Sequence, residues 1–397
     1  MGKLNRRALF LLHGWFSLPI WILFSFICIT GTIAVFSHEF TWLTNSNARA
    51  DNPADLPAKP IPELIEIVQR EIPESNISRV FILESYLVSA VSFSTPDKPN
   101  ALAYINPYTG VIQEINQGIT FITFMRSLHG WLLFPWHHSY SWGYYLVSAM
   151  SIVVLGALIT GLLIYKRFWH AFTRPRIRWN KGTRIMLGDL HRLGGVWSIW
   201  FLLVMGVTGG WYLTQALLWH NEVEVWQHPD PAPLGDLPQS KGERPDFISP
   251  EQALEIARNN LPDVRTTLFS YPEHNRDYYS ISGQGSNPFY DNYSSKIFIN
   301  PWNGSIAQTR TPETMNTLQT LTHIADPLHY GTIAGLVTKT IWFFFGLVLS
   351  GMSISGFLIW SKRTLKPAKS KTAITDSRRP EVLPPATPDT TPLETFR

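Results

Sequence analysis

Four histidines in this chain each follow a leucine: Leu12-His13, Leu128-His129, Leu190-His191 and Leu328-His329. Further along, each is followed by a small residue and a glycine: Thr30-Gly31, Thr160-Gly161, Thr208-Gly209 and Ser355-Gly356. The spacing from His to Gly is 18 residues in the first and third cases, 32 in the second and 27 in the fourth. Imidazole is a good ligand for transition metals, iron included. Two equivalent imidazoles facing a common axis could hold one metal centre, and haem iron with two axial histidines suits that arrangement. The bland reading of any one of them is an interfacial hydrogen-bonding residue. His38, His220, His137, His138 and His323 are further candidates, all expected near the same face as His129 and His329. His170 reads as interfacial, His228 and His274 as solvated. The one cysteine, Cys28, excludes an internal disulfide, a Cys-ligated iron–sulfur cluster and a Cys-x-x-Cys zinc or haem site. Histidine is therefore the expected ligand of any redox cofactor this chain holds.

Stretches without a charged residue carry these motifs. Trp15–Phe36, Ser139–Tyr165, Leu193–Trp219 and Thr340–Trp360 are 22, 27, 27 and 21 residues long. About 20 such residues cross a hydrocarbon core as a helix. Trp, Tyr, Lys or Arg flank each one, as interface anchors do, and the 16 tryptophans fit the resulting crossings. Small residues (Gly14, Gly156, Gly194, Gly195) are expected at the helix contacts. The near-zero mean hydropathy is an average over these spans and two acidic connections.

Charge sets the expected orientation. Lys3, Arg6 and Arg7 precede the first span; residues 166–192 hold eight basic groups and one acid, Asp189. Lys362, Arg363, Lys366, Lys369 and Lys371 follow the last. Residues 39–125 have 5 basic and 10 acidic groups, and residues 220–325 have 7 and 13. Positive-inside then places both termini and the basic loop in the cytoplasm and both long connections outside. The bilayer expected is a bacterial inner membrane. Helix one is too long in its apolar run for a cleaved signal peptide, and the Pro/Thr/Ser-rich tail reads as disordered.

The chain also repeats. ELIEIVQREIPE (63–74) matches QALEIARNNLPD (252–263), INPYTGVI (105–112) matches INPWNGSI (299–306), and ITGLLIYKR (159–167) matches ISGFLIWSKR (354–363). The order is kept and the offset drifts slowly, the pattern of a tandem duplication. Each connection reads as an amphipathic helix (Ile65, Val68, Ile72) followed by strands within 80–93 and a strand ending in Asn-Pro-x-x-Gly. The fold class expected is a mainly α membrane protein of four transmembrane helices with two small α+β outer domains. Its boundaries are N-terminus and helix one, 1–38; outer domain one, 39–126; helix two, 127–167; basic loop, 168–190; helix three, 191–219; outer domain two, 220–325; helix four, 326–361; tail, 362–397.

No dinucleotide fingerprint, P-loop, H-E-x-x-H or G-x-S-x-G is present. An electron donor is thus expected to be separate: a cytoplasmic flavin reductase, reduced flavin or a quinol. Nucleic acid is not an expected partner. The segments LHGWFSLPIWILFSFICITGTIAVF, DLHRLGGVWSIWFLLVMGVTGGWYL and PLHYGTIAGLVTKTIWFFFGLVLSGMSISGFLIW resemble the PepSY-associated transmembrane-helix family, and the Asn-Pro-x-x-Gly strand ends resemble its PepSY-like outer domains. That resemblance implies two b-type haems, on His13/His191 and His129/His329, and electron delivery to a periplasmic ferric siderophore or other ferric chelate. Its pattern departs at FPWHHSYSW (134–142), which lengthens the second spacing by five residues and leaves His137 or His138 as substitutes for His129. Another expectation is a binding or regulatory membrane protein, acting on a peptidase or sensing a ligand without redox activity. A metal or chelate transporter has least support, because no intramembrane carboxylate is present.

Overall fold

A segment with no charge and few polar side chains satisfies its backbone most simply as a helix, the form a bilayer demands. In the computed structural model, which describes residues 5–165, 168–226, 228–237 and 247–364, four helical segments are long and apolar enough to cross a membrane. They are Arg7–Val35, Trp142–Ile164, Ile199–His220 and Gly335–Lys362. The tail beyond residue 364 lies outside the described residues, as do Lys3, Lys166 and Arg167.

The first span comprises α1 (Arg6–Ser17) and α2 (Trp21–Val35), joined by a 3-10 turn at Leu18–Ile20 that contains Pro19. A proline inside a helix removes one backbone donor and bends it. Helix α3 (Ser37–Thr44) continues beyond. Then come α4 (Ile61–Glu71), strands β1 (Asn76–Phe81), β2 (Ser89–Thr95), β3 (Lys98–Ile105) and β4 (Ile112–Gln117), and α5 (Phe121–Trp131). The second span is α6 (Trp142–Ser148) and α7 (Met150–Ile164). After α8 (Phe168–Thr173), α9 (Thr183–Trp197) leads into α10 (Ile199–His220), the third span. The sequence of elements then recurs: α11 (Pro250–Asn260), β5 (Arg265–Ser270), β6 (Tyr279–Gln284), β7 (Ser295–Ile299), β8 (Ile306–Arg310), α12 (Thr317–Tyr330) and α13 (Gly335–Thr364).

In the bundle, α1 packs on α7, α7 on α10, α9 on α13 and α13 on α2. Phe24, Val153, Val154, Leu158 and Leu202 form its centre. Gly156 admits the Phe16 ring where a Cβ would sit 2.3 Å from it, and Gly194 faces Met352. Gly14 meets only Leu18 of its own helix, so it marks no contact between helices.

The eight strands form one antiparallel sheet in the order β4-β3-β2-β1-β5-β6-β7-β8. This corrects the expectation of two small outer domains. The strands meet at β1 and β5, with Val80 opposite Phe269. Left apart, each four-stranded half would expose β1 or β5 as an unpaired edge, so joining them removes two edges at once. It also builds one core, in which Leu64, Val68, Val80, Ala253, Phe269 and Ile297 are fully buried beneath α4 and α11. Both Asn-Pro-x-x-Gly segments form the expected tight turn. The Asn106 side-chain oxygen accepts from the Tyr108 and Thr109 amides, and that of Asn300 accepts from the Trp302 amide. Gly110 and Gly304 close these turns at φ +78° and +73°, a region that glycine enters without strain.

A buried ionic cluster ties the sheet to the bundle. Lys339 of α13 lies 2.8 Å from Glu39 and 3.5 Å from Glu84. His38 reaches both Glu84 oxygens at 2.8 Å, and Tyr86 donates to Glu39. Glu84 and Tyr86 belong to the connection between β1 and β2, so this cluster joins three parts of the chain.

Candidate functional site

Helix α1 carries His13 and α9 carries His191, from opposite halves of the chain, and their ring centres lie 6.2 Å apart at the end of the bundle away from the sheet. Helices α5 and α12 carry His129 and His329, 6.3 Å apart at the end nearer the sheet. The structure thus brings the four Leu-His residues together as two pairs.

Each ring rests on a hydroxyl from a different segment of its own half, and for His13, His129 and His191 the adjoining glycine lies against the ring as well, whereas Gly209 faces Ser151. His13 Nδ1 lies 3.0 Å from Thr160 Oγ1, and His329 Nδ1 lies 2.8 Å from Thr208 Oγ1. His191 Nδ1 is 3.1 Å from the Met352 carbonyl and 3.2 Å from Ser355 Oγ, while His129 Nδ1 is 3.5 Å from Thr30 Oγ1. Beside those hydroxyls, Gly161 and Gly356 come within ordinary contact of His13 and His191. Gly31 is tighter: a Cβ there would stand 2.6 Å from His129 Cε1. The glycines leave room for the ring and the hydroxyls hold it.

The hydroxyl protons decide the tautomer. Thr160 donates to the Gly156 carbonyl, Thr208 to Val204, Thr30 to Phe26 and Ser355 to Met352. With its proton so engaged, each hydroxyl offers a lone pair, which accepts from Nδ1–H of the histidine. The Nε2 lone pair then remains for a metal, the usual division of labour in a metal-ligating imidazole. Ring centres 6.2 and 6.3 Å apart would leave room for one metal atom held between the two histidines of each pair. No group of three or more His, Cys, Asp or Glu able to hold a bare ion occurs among the described residues. Two histidine donors would suit a metal that brings further ligands of its own, and haem iron is such a metal.

The competing histidines have other roles. His137 and His138 are exposed in the turn after α5, and the five extra residues of the second spacing fall in that longer turn. His129 therefore keeps its seat without a substitute. His38 is held by Glu84, and His220 lies 3.0 Å from Tyr145 and stacks on Tyr140 at 4.2 Å. His323 is buried and pairs with Asp291 at 2.8 Å.

The hydroxyl–glycine pairs are visible in the sequence, but what they do is not. The hydroxyl on each transmembrane helix serves a histidine from another helix, and linear spacing does not reveal that. Nor does the sequence single out Tyr212, whose ring meets His329 edge-on at 5.1 Å and whose hydroxyl donates to Asp326 at 2.8 Å.

Comparison with known proteins places a match to the PepSY-associated TM region over residues 10–363. An uncharacterized protein of Pseudomonas aeruginosa is similar at 37% identity over 67 residues, which is 17% of this chain. The matched stretch spans 16% of that relative's length.

Proposed function

The chain belongs to the family of the PepSY-associated TM region, and on that premise we propose that it is a membrane reductase that binds two b-type haems and passes electrons across the bilayer to a ferric siderophore or other ferric chelate. The observation that carries this reading is the pair of His–His separations, 6.2 and 6.3 Å, with each Nδ1 engaged by a neighbouring hydroxyl or carbonyl. The haem at each site would supply a one-electron iron couple. His13 and His191 would hold one, His129 and His329 the other. Thr160, Ser355, Thr30 and Thr208 would fix the rings in the Nδ1–H form and keep Nε2 free. Histidines inside a membrane segment are costly unless partnered, which also favours a cofactor between them.

The substrate gains one electron per iron, and chelators built for hard Fe(III) then hold Fe(II) more weakly. No general acid or base is needed for that step. The basic groups near the termini and between the second and third spans support a cytoplasmic face at that end, in a bacterial inner membrane, with the sheet in the periplasm. The donor there would be a flavin reductase, reduced flavin or quinol. The recurring order of helix, four strands and helix supports an origin by tandem duplication.

Protein purified from haem-replete cells should be red, with a b-type reduced-minus-oxidised spectrum and two haems per chain. Replacing His13 and His191 together should remove one haem, and replacing His129 and His329 the other. A colourless preparation would overturn the reading and leave a binding or regulatory role.

A further inference from the structure

The two-helix layer covers one face of the sheet; the opposite face bears an unbalanced pair of cations. Lys296 of β7 and Arg310 of β8 are register partners in adjacent strands. Like charges directly opposite one another destabilise a sheet. Arg310 is only 7% exposed, and its Nε has no hydrogen-bond partner. Lys296 is half-buried. Neither forms an ion pair within 4.0 Å among the described residues.

Their immediate neighbours are aromatic. The Arg310 guanidinium lies 5.2 Å from the Trp226 ring centre, and the Lys296 ammonium lies 5.1 Å from that of Phe298. These rings attract a cation but accept no N–H hydrogen bond in their plane. Burial, then Arg310 and Arg79, pulls the Lys296 ammonium down to about 8, against a weaker opposing effect of Asp277. The nearby carboxylates are occupied. Asp291 pairs with His323, Asp277 accepts from the Glu273 and Tyr278 amides, and Glu273 pairs with Arg79.

A buried guanidinium without an ion-pair partner is strongly unfavourable unless something neutralises it. We propose that Lys296 and Arg310 form a carboxylate-binding site on this face of the sheet, for a small di- or tricarboxylate. The Nη edge of the Arg310 guanidinium, less deeply buried than its orphaned Nε, matches a carboxylate, which takes planar, two-point hydrogen bonds. Lys296 adds a second charge on the solvent side, and Trp226 and Phe298 give flat walls suited to a planar group. The site goes beyond the reductase reading and needs neither haem nor iron.

Isothermal titration of the full-length protein in detergent with iron-free citrate tests it. Citrate should bind, and Lys296→Gln should weaken that binding about tenfold or more, the worth of one charge-assisted hydrogen bond. Arg310→Lys, which keeps the charge and removes the fork, should weaken it too. Absence of citrate binding, or unchanged binding in Lys296→Gln, overturns the proposal. Inorganic phosphate binding as tightly as citrate overturns the carboxylate assignment. Haem content, read from the spectrum of the same sample, fails or stands separately.

Discussion

A single methyl group distinguishes the seats of the four histidines. Gly31→Ala would drive a Cβ to 2.6 Å from the His129 ring, whereas Gly161→Ala would stand 3.5 Å from His13. On the proposed di-haem reading, the expected outcome is loss of most of the haem nearer the sheet in the first variant and near-normal content in the second, read as haems per chain. A second residue-level test removes a hydroxyl. In Thr208→Val the His329 Nδ1–H loses its acceptor at 2.8 Å. Removal of such an outer partner weakens a metal site by about 10–100-fold, so haem should dissociate measurably faster, and Thr208→Ser should restore retention. These residues were legible as a pattern, because Leu-His and hydroxyl–glycine recur four times. Their contacts were not, because the partner of each lies on another helix.

Among the elements, α9 is set by an acid that charge counting treats only as an exception in a basic loop. Asp189 is 1% exposed and accepts from the Arg178 amide at 3.1 Å, its Nε at 2.9 Å, its Nη2 at 2.8 Å, and from Arg192 at 2.9 Å. Hydrogen bonding by Arg178 outweighs burial and holds the carboxyl at about 2. Because the folded value is below the unfolded one of about 3.9, this stabilisation is complete above pH 4 and is lost as pH falls toward 2. Asp189→Asn should destabilise the fold at pH 7 by about 1–2 kcal/mol given the solvent-screened arginines, read as a lower thermal midpoint. Near pH 2 the variant and parent should converge. At the junction of sheet and bundle, burial raises the Glu84 carboxyl, but the hydrogen bond and charge of His38, then Lys339, bring it down to about 2. Hydrogen-exchange protection in the connection between β1 and β2 should therefore hold down to about pH 4 and fall as the pH approaches 2, where folded Glu84 takes up a proton.

At the scale of the whole molecule, the two halves of the chain share a sheet through β1 and β5, a core beneath α4 and α11, and both histidine pairs. Cutting the chain between α8 and α9 should leave two fragments that copurify when coexpressed; fragments that separate in mild detergent would show the β1–β5 seam and helix contacts to be too weak to join them. The four apolar spans, the two Asn-Pro-x-x-Gly turns and the histidines available as ligands can be read from the amino acids alone, because length, hydropathy and turn chemistry act over a few residues. Strands 80–93 were legible as extended, yet Glu84 and Tyr86 between them proved to be anchors. That the two outer units make one sheet, that His13 meets His191 and that His129 meets His329 emerges only from the folded chain. It alone also placed each imidazole on the hydroxyl of another helix. Those choices depend on edges that must be paired and donors that must find acceptors across the fold, and no local pattern records which distant partner satisfies them.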